Sequence, residues 1–315
     1  MAINQNIKDV VNISDWRVDE EYRQYPEGAR SKALLYAPTN PPYSFLKSNF
    51  PYLFKLSSHR YPEQFWVEIF AYRLGCQVGI EVPKAFVAIN TKKDLSGALI
   101  EWFFEPGSEI LKPGGDFFVD YIPGFERKKG KQHNFETITR IFEDLAGKYP
   151  DLKDCWLKCW VRIFVFDALI GNTDRHQDNW GIILNKKEHA IRFAPAFDNG
   201  TSLGHEIRSE KFYLAKDKKW LELYISRGYH HVRWRLDDLN PAGHFELLEK
   251  ICLQFPESKQ EIVDILCRVK LDNIMSIIEE LCFFEVPVRL SQERAVFMLT
   301  LIEARYNKIR LLLER

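Results

Sequence analysis

Three side chains in the second half of the chain have types and spacing suited to phosphoryl transfer. Asp174 and Asn179 lie in one polar loop with Asp-x4-Asn spacing, and Asp198 follows a short predicted hairpin. Such a reaction needs a carboxylate that takes up or orients the proton of the attacking hydroxyl, and oxygen ligands that hold Mg²⁺ on ATP. We therefore predict Asp174 as the catalytic base and Asn179 and Asp198 as metal ligands, with Asn179 also close to the nucleotide.

The spacing alone is a weak signal, because ordinary composition gives about one chance match in a chain of this length. Asp and Asn also favour turns, so Asp174 could cap the turn after a helix. Asn179 could likewise be an ordinary loop residue, and Asp198 a turn residue before Asn199-Gly200. The order of elements carries more weight, because a buried helix, the loop, a hairpin and an acid follow one another.

The helix before the loop is predicted over residues 152–170, since its second half is apolar nearly all round. Gly171 is expected to end it. Residues 180–184 and 191–193 are expected to form the hairpin that returns the chain to the loop. Further helices are predicted at 135–145, with Asn134 as N-cap, and at 258–270, 271–283 and 291–314.

The first hundred residues are richer in strand signals. Strands are predicted at 32–37, 52–56, 82–89 and 97–104, and a helix at 62–74. We therefore expect an α+β fold with a β-rich N-lobe, residues 1–103, a helical C-lobe, residues 104–315, and a cleft between the two.

Two further charged residues fit a nucleotide cleft. Lys55 lies on a predicted strand between apolar neighbours, where it could steady the ATP phosphates or be an exposed edge charge. Glu68 on the next helix is its expected ion-pair partner; a solvated helix face is the alternative interpretation, and Glu63 is the rival acid. His176, two residues after Asp174, either donates to the γ-phosphate or bonds the backbone.

The motif resembles a known family. Residues 166–179, followed by Pro195-x-Phe197-Asp198, are similar to the catalytic loop and metal-binding motif of HipA-like serine/threonine kinases. Residues 172–175, 178–180 and 198–200 also resemble type II phosphatidylinositol 4-kinases. The HipA pattern fits more of the chain, over about residues 25–205.

The resemblance adds ATP-binding residues. The segment 28–32 is similar to the family's phosphate loop, although Arg30 stands where a Gln is usual, and residues 53–56 are similar to its ATP-lysine strand. Glu68 falls at the position of its helix glutamate, and residues 100–103 resemble its adenine-binding hinge. The resemblance thus implies ATP contacts from Ala29, Arg30, Ser31, Lys32, Lys55, Glu68, Glu101, Trp102 and Phe103, with Ser31 as a candidate autophosphorylation site.

The implied activity is that of an ATP- and Mg²⁺-dependent serine/threonine protein kinase capable of autophosphorylation. Its acceptor would be a protein hydroxyl, and an antitoxin-like regulator is a possible partner, although the segment before residue 25 is shorter than the subdomain by which HipA toxins meet their antitoxin. A phosphoinositide kinase and a non-catalytic pseudokinase are the alternatives. Liposome flotation would distinguish the first, and a nucleotide-binding and ATPase assay the second.

Composition sets the remaining expectations. Lys and Arg total 44, as do Asp and Glu, so a neutral chain gives no global reason to bind nucleic acid. No apolar run suits a membrane span or signal peptide, and the six cysteines form no CxxC pair, so we expect a cytoplasmic protein with reduced thiols. The basic segment 127–131 is expected to be a solvated loop. The segment 230–235 is expected to pack structurally, with contact to an acidic substrate or phosphate as the alternative.

Overall fold

A computed structural model describes residues 5–20, 31–153 and 155–314. The predicted contacts at Ala29 and Arg30, and Gly28 beside them, lie outside the described residues. Ser31 and Lys32 lie at the start of the second described segment.

A six-stranded sheet dominates the first third of the chain, with strand order β1-β5-β6-β4-β3-β2. The short β1 pairs with β5 in parallel, and the other neighbours are antiparallel. A second, three-stranded sheet has the order β7-β8-β9. The strands are β1 (Val11–Asn12), β2 (Arg17–Val18), β3 (Lys32–Tyr36), β4 (Pro51–Lys55), β5 (Ala85–Asn90), β6 (Leu95–Glu101), β7 (Glu109–Pro113), β8 (Gly181–Asn185) and β9 (Ile191–Phe193).

The helices lie mostly after the large sheet, which gives the expected α+β architecture. They are α1 (Phe65–Val78), α2 (Gly114–Tyr121), α3 (Phe135–Lys148), α4 (Trp156–Ile170), α5 (Lys218–Arg227), α6 (His244–Gln254), α7 (Ser258–Arg268), α8 (Leu271–Cys282) and α9 (Gln292–Leu313). Within the described ranges, every helix is too short or too polar to cross a lipid bilayer.

Helix α1 joins the large sheet to the helical part. It packs on β5 and β6 with one side and on α7 and α8 with another, so nearly all of its residues are buried. The main hydrophobic core accordingly runs without a break from this helix into the helical part of the chain. The proposed lobe boundary at residue 103 remains a prediction.

Helix α4 is the central element of the helical part and contacts α6, α7 and α9. Its apolar surface, including fully buried Trp160 and Phe164, is covered on all sides, as its sequence predicts. Gly171 ends it in the left-handed conformation at φ 66°, which glycine adopts without steric cost. The candidate catalytic loop therefore starts from a rigid support.

The boundaries of several predicted elements differ from the structure; the predicted helix 62–74 is α1 (Phe65–Val78) and the predicted strand 82–89 is β5 (Ala85–Asn90). The predicted helix 152–170 is a 3₁₀ turn, Pro150–Leu152, followed by α4 from Trp156. The predicted strand 97–104 ends at Glu101, after which the chain turns away from the sheet. The N-cap prediction is confirmed, because the Asn134 side chain accepts a hydrogen bond from the Thr137 amide at 2.7 Å.

The sequence did not predict β7 and α2. The join between them packs directly on the candidate catalytic loop: the Gly114 amide donates to the Trp180 carbonyl at 2.9 Å and the Gly115 amide to the Gln177 carbonyl at 2.8 Å. Two consecutive glycines after a proline are typical of a loop, but here they allow the backbone to approach the loop closely. A β-carbon on Gly114 would lie 2.1 Å from Trp180.

We predict that Gly114→Ala destabilises the protein by about 1–3 kcal/mol, because Trp180 is buried and cannot move aside. Gly147→Ala, at an exposed position of helix α3, is the matched control, since a β-carbon there meets nothing within 4 Å. It should instead stabilise the protein by up to about 1 kcal/mol. Denaturant unfolding of both variants tests this, and equal effects would contradict the close packing of β7–α2 on the loop.

Candidate active site

A buried ion pair lies beneath the candidate catalytic loop. Asp167, in the last turn of α4, accepts from Arg175 Nη2 at 2.8 Å and Nε at 3.0 Å, and both side chains are fully buried. A buried charge pair is stable only when its remaining donors and acceptors are also satisfied.

Arg175 meets that condition by bonding three further groups. It donates to the Asn199 side chain at 2.7 Å, to the Asn179 carbonyl at 3.1 Å and to the Phe197 carbonyl. One guanidinium therefore ties the end of α4 to both segments that carry the predicted metal ligands. Asn179 carries one of the two carbonyls, and Asp198 follows the residue that carries the other, so the backbone of both predicted ligands is fixed in position.

Asp167 has other partners that keep it ionised. His230 Nε2 lies 2.9 Å from its carboxylate, and the side-chain amide of Asn172 donates to it at 3.3 Å. Burial alone would raise the pKa of Asp167, but the Arg175 cation and the hydrogen bonds from His230 and Arg175 hold it below its usual value. Burial in turn lowers the pKa of His230. The packing role predicted for the 230–235 segment fits this residue.

Asn172 positions the predicted base. Its side-chain oxygen accepts from the Asp174 amide at 3.0 Å and from the Thr201 hydroxyl at 3.1 Å. Its carbonyl lies 2.7 Å from His244 Nε2, on the buried side of the loop. The Asp174 side chain remains 41% exposed, so it faces solvent from a fixed backbone.

Lys55 joins the large sheet to the loop that carries Asp198. Its ammonium group lies 3.0 Å from Glu68 on α1 and 2.9 Å from Asp198. Glu68 also accepts from the Asn199 amide at 3.0 Å. The rival acid Glu63 lies elsewhere, where it accepts from the Ser291 amide at 2.6 Å.

Asp198 has a left-handed backbone, with φ 56°, which is unfavourable for a residue with a β-carbon. The bonds of Lys55 to its side chain and of Asn199 to Glu68 and Arg175 hold the backbone in this conformation. Strained residues held in this way are concentrated at functional sites.

Asn179 and Asp198 provide a donor set that fits Mg²⁺. The Asn179 amide nitrogen donates to the Asp174 carbonyl at 2.6 Å, which leaves its side-chain oxygen as the free end. Asn179 and Asp198 both line one cavity. Oxygen ligands of this kind are the ones that Mg²⁺ prefers.

The cavity has a volume of about 820 Å³ and lies between the large sheet and the candidate catalytic loop. Most of the predicted and described site residues line it: Lys32, Lys55, Glu68, Trp102, Phe103, Asp174, His176, Asn179 and Asp198. Ser31 and Glu101 do not. The Glu101 carboxylate points away and pairs with Lys47 at 3.1 Å and Lys84 at 3.2 Å, which leaves only its backbone for a nucleotide.

The predicted hinge forms an aromatic wall of this cavity. Phe103 stacks on Phe197, with ring centroids 5.0 Å apart, and Trp102 lies beside it. Phe103 also accepts a hydrogen bond through its carbonyl from Arg192 at 2.9 Å. The flat apolar surface suits a purine ring. Phe197 belongs to this surface and directly precedes the predicted metal ligand Asp198 in the chain.

Two histidines flank Asp174. His176 Nδ1 accepts from the Asp178 amide at 3.2 Å, which leaves Nε2 of the neutral ring as a donor. His231 Nε2 lies 3.8 Å from the Asp174 carboxylate, and burial, followed by the nearby His176, His230 and Arg233, lowers its pKa to about 4. His231 is therefore neutral near pH 7. Structural packing is the expected role of the segment 230–235, with contact to an acidic substrate or phosphate as the alternative, and His231 lies beside the candidate base.

The buried ion pair between Asp167 and Arg175 was not predicted, although the sequence contains a signal for it. Asp167 is the single acid within the apolar half of α4, and Arg175 directly follows the predicted base. An ionisable residue in a fully buried helix needs a partner.

The basic segment 127–131 is not solvated throughout, although the sequence predicts it to be. Arg127 pairs with Asp178 in the candidate catalytic loop and with Asp116 at 2.7 Å.

A curated relative shares part of the chain. The serine/threonine-protein kinase CtkA of Helicobacter pylori (strain J99) is 26% identical over 188 residues, which cover 58% of this chain and 53% of the relative. The match therefore spans about half the length of that relative.

Two solved structures have the same fold. The proinflammatory kinase CtkA of Helicobacter pylori superimposes with a TM-score of 0.73 at 17% identity, over 96% of each chain. HipA of Shewanella oneidensis MR-1, solved as a toxin–antitoxin system with HipB and operator DNA, gives a TM-score of 0.52 at 13% identity, over 96% of this chain and 73% of the other. The model of the HipA-like C-terminal domain matches residues 26–270, and the chain therefore belongs to this family.

Proposed function

We propose that the protein is a serine/threonine protein kinase that uses ATP and Mg²⁺. The observation that supports this most is the position of Lys55, which contacts Glu68 and Asp198 at once beside a cavity that also holds Asp174 and Asn179. Phosphoryl transfer requires these groups to be positioned together, since catalysis here is mainly placement and charge stabilisation.

ATP would enter between the large sheet and the catalytic loop. Its adenine would lie against Trp102 and Phe103, and its phosphates would extend toward Lys55. Lys32 pairs with Lys55 in the strand register and lines the same cavity, so it adds a second cation on that side. The cavity volume is within the range of small-ligand sites.

Asn179 and Asp198 would hold the metal through their side-chain oxygens. Mg²⁺ bound with ATP would neutralise phosphate charge during transfer. The strained backbone of Asp198 and its bond to Lys55 keep the carboxylate at the cavity wall without a metal. The residues thus need little rearrangement to bind it.

Asp174 would accept or orient the proton of the acceptor hydroxyl. Its backbone is fixed by Asn172, and its carboxylate is accessible beside His176 and His231. His176 would donate through Nε2 to a phosphate oxygen. Neutral His231 adds no charge that would compete for the Asp174 carboxylate.

A protein acceptor is favoured by the name of the curated relative, a serine/threonine-protein kinase.

Autophosphorylation at Ser31 stays a prediction. Ser31 adjoins β3, where its carbonyl accepts from the Leu56 amide at 3.0 Å, and it does not line the cavity. An antitoxin-like regulator also stays a prediction, because the HipA match shows the fold alone.

Asp174→Asn is expected to reduce phosphate transfer to protein by about 10²–10⁴-fold, because the amide cannot accept the hydroxyl proton. Nucleotide affinity should change little, since a base makes few contacts with ATP. Labelling of protein substrate from γ-labelled ATP, with nucleotide binding measured in parallel, checks both.

Asp178→Asn is the control for this variant. It removes the same charge from the same loop, but Asp178 serves Arg127 and not the acceptor hydroxyl. Its loss should therefore be much smaller. Comparable losses in the two variants would argue against Asp174 as the base.

Lys55→Ala should weaken catalysis severely, and Glu68→Ala should weaken it less, because Lys55 would remain but be poorly placed. The double variant should be little worse than Lys55→Ala alone, since residues that act as a unit are not additive. Turnover of the three variants measures the coupling. Glu63→Ala combined with Lys55→Ala is the control and should show no coupling; additive losses for Glu68 would refute the pairing.

A further inference from the structure

A second cavity, of about 360 Å³, lies on the other side of the catalytic loop. Thr173, the neighbour of Asp174, lines it, and Thr201 lines both this cavity and the larger one. Trp220 and half-exposed Tyr229 form aromatic walls. The second cavity therefore adjoins the loop that carries Asp174.

Arg305 of α9 lines this cavity. Only 4% of it is exposed, and its one hydrogen bond with the described residues runs from Nη1 to the Ala168 carbonyl at 3.2 Å. Among the described residues no carboxylate lies within ion-pair distance of it. Buried Arg73 and Arg175, in contrast, each have an acidic partner, Glu280 at 3.0 Å and Asp167 at 2.8 Å.

The bond to Ala168 accounts for only one of the guanidinium's donors. It places a cation at the carbonyl end of α4, which is favourable. Nη2 and Nε make no hydrogen bond with the described residues. Arg305 lines the cavity, so both nitrogens are available to donate to a ligand bound there.

The surrounding backbone makes room for the guanidinium. A β-carbon on Gly171 would lie 2.7 Å from its Nη2, and one on Gly228 would lie 3.0 Å away. Burial lowers the pKa of Arg305 to about 10, while nearby Tyr224 and Glu206 favour its charged form. The residue is thus cationic at neutral pH.

The charges around the cavity favour an anion. Exposed Arg227, at the end of α5, lines it together with Arg305, and Glu206 is the one acid among its described lining residues. Glu206 is occupied by the Tyr224 hydroxyl at 2.7 Å and lies 3.4 Å from His205. A guanidinium binds carboxylate or phosphate oxygens strongly and with defined geometry.

We propose that this cavity binds a carboxylate or phosphate carried by the acceptor polypeptide, beside the hydroxyl that Asp174 activates. The inference rests on the proposed kinase function and adds a substrate class to it: segments with an acidic or already phosphorylated residue near the target Ser or Thr. Trp220 and Tyr229 would pack against the neighbouring peptide.

A peptide series tests the proposal. Fluorescent Ser-containing peptides would carry Asp, phosphoserine or Asn at one position, scanned along both sides of the Ser. Affinity would be measured by anisotropy and turnover by kcat/KM. We expect Asp or phosphoserine at one position to bind about tenfold more tightly than Asn, as a hydrogen bond to a charged group implies.

Variants locate the effect. Arg227→Gln and Arg305→Gln should each bring the ratio of acidic to neutral peptide affinity close to one. Arg227 is exposed, so its variant is informative even if Arg305→Gln fails to fold. Arg289→Gln is the matched control, because it removes a charge from an exposed arginine that does not line the cavity, and it should keep the ratio.

The outcomes separate the two proposals. Preference for phosphoserine alone indicates a previously phosphorylated acceptor, whereas equal preference for Asp indicates an acidic one, and both support the anion site. No preference at any position, or a preference that survives Arg227→Gln, overturns it. Anion-dependent binding without any phosphate transfer would count against the kinase proposal and leave the anion site standing.

Discussion

The arrangement of the site depends on the buried ion pair between Asp167 and Arg175. Two charges removed from water cost several kcal/mol each, and the pair is favourable only because each remaining donor finds a partner. Those partners belong to the candidate catalytic loop and to the Asp198 segment, so a single guanidinium holds both in register with the end of α4. Removing one member of such a pair typically lowers the free energy of unfolding by about 3–5 kcal/mol. Here the removal would also release the two segments that carry Asn179 and Asp198.

The same network extends to the large sheet. Asn199 accepts from Arg175 through its side-chain oxygen and donates to Glu68 through its backbone N–H, and Glu68 pairs with Lys55. The two sides of the main cavity are therefore joined by a continuous series of hydrogen bonds. This rigidity explains how the left-handed Asp198 backbone can be maintained, and it holds the predicted catalytic groups in place before any ligand binds. Preorganisation of this kind lowers the reorganisation that the reaction requires.

Much of this arrangement could be predicted from local sequence. The apolar helix ended by Gly171, the Asp-x4-Asn loop and the hairpin have clear periodicity and turn signals, and the structure places Asp174, Asn179 and Asp198 around one cavity. Other features depend on contacts distant in sequence. Gly114-Gly115 has the composition of a loop, and only its packing on Trp180 shows why glycine is needed there. The site-facing position of His231 likewise follows from tertiary packing, since its neighbour His230 is buried in the network.

The most direct test of the central claim is ATP binding with and without Mg²⁺, measured by calorimetry for the wild type and for Asp198→Ala. If Asn179 and Asp198 hold the metal on the phosphates, Mg²⁺ should strengthen ATP binding to the wild type and have little effect on the variant. The variant should still bind ATP without metal, because Lys55 and the Trp102–Phe103 wall remain. Equal strengthening by Mg²⁺ in both proteins, or no ATP binding by the wild type, would contradict the account.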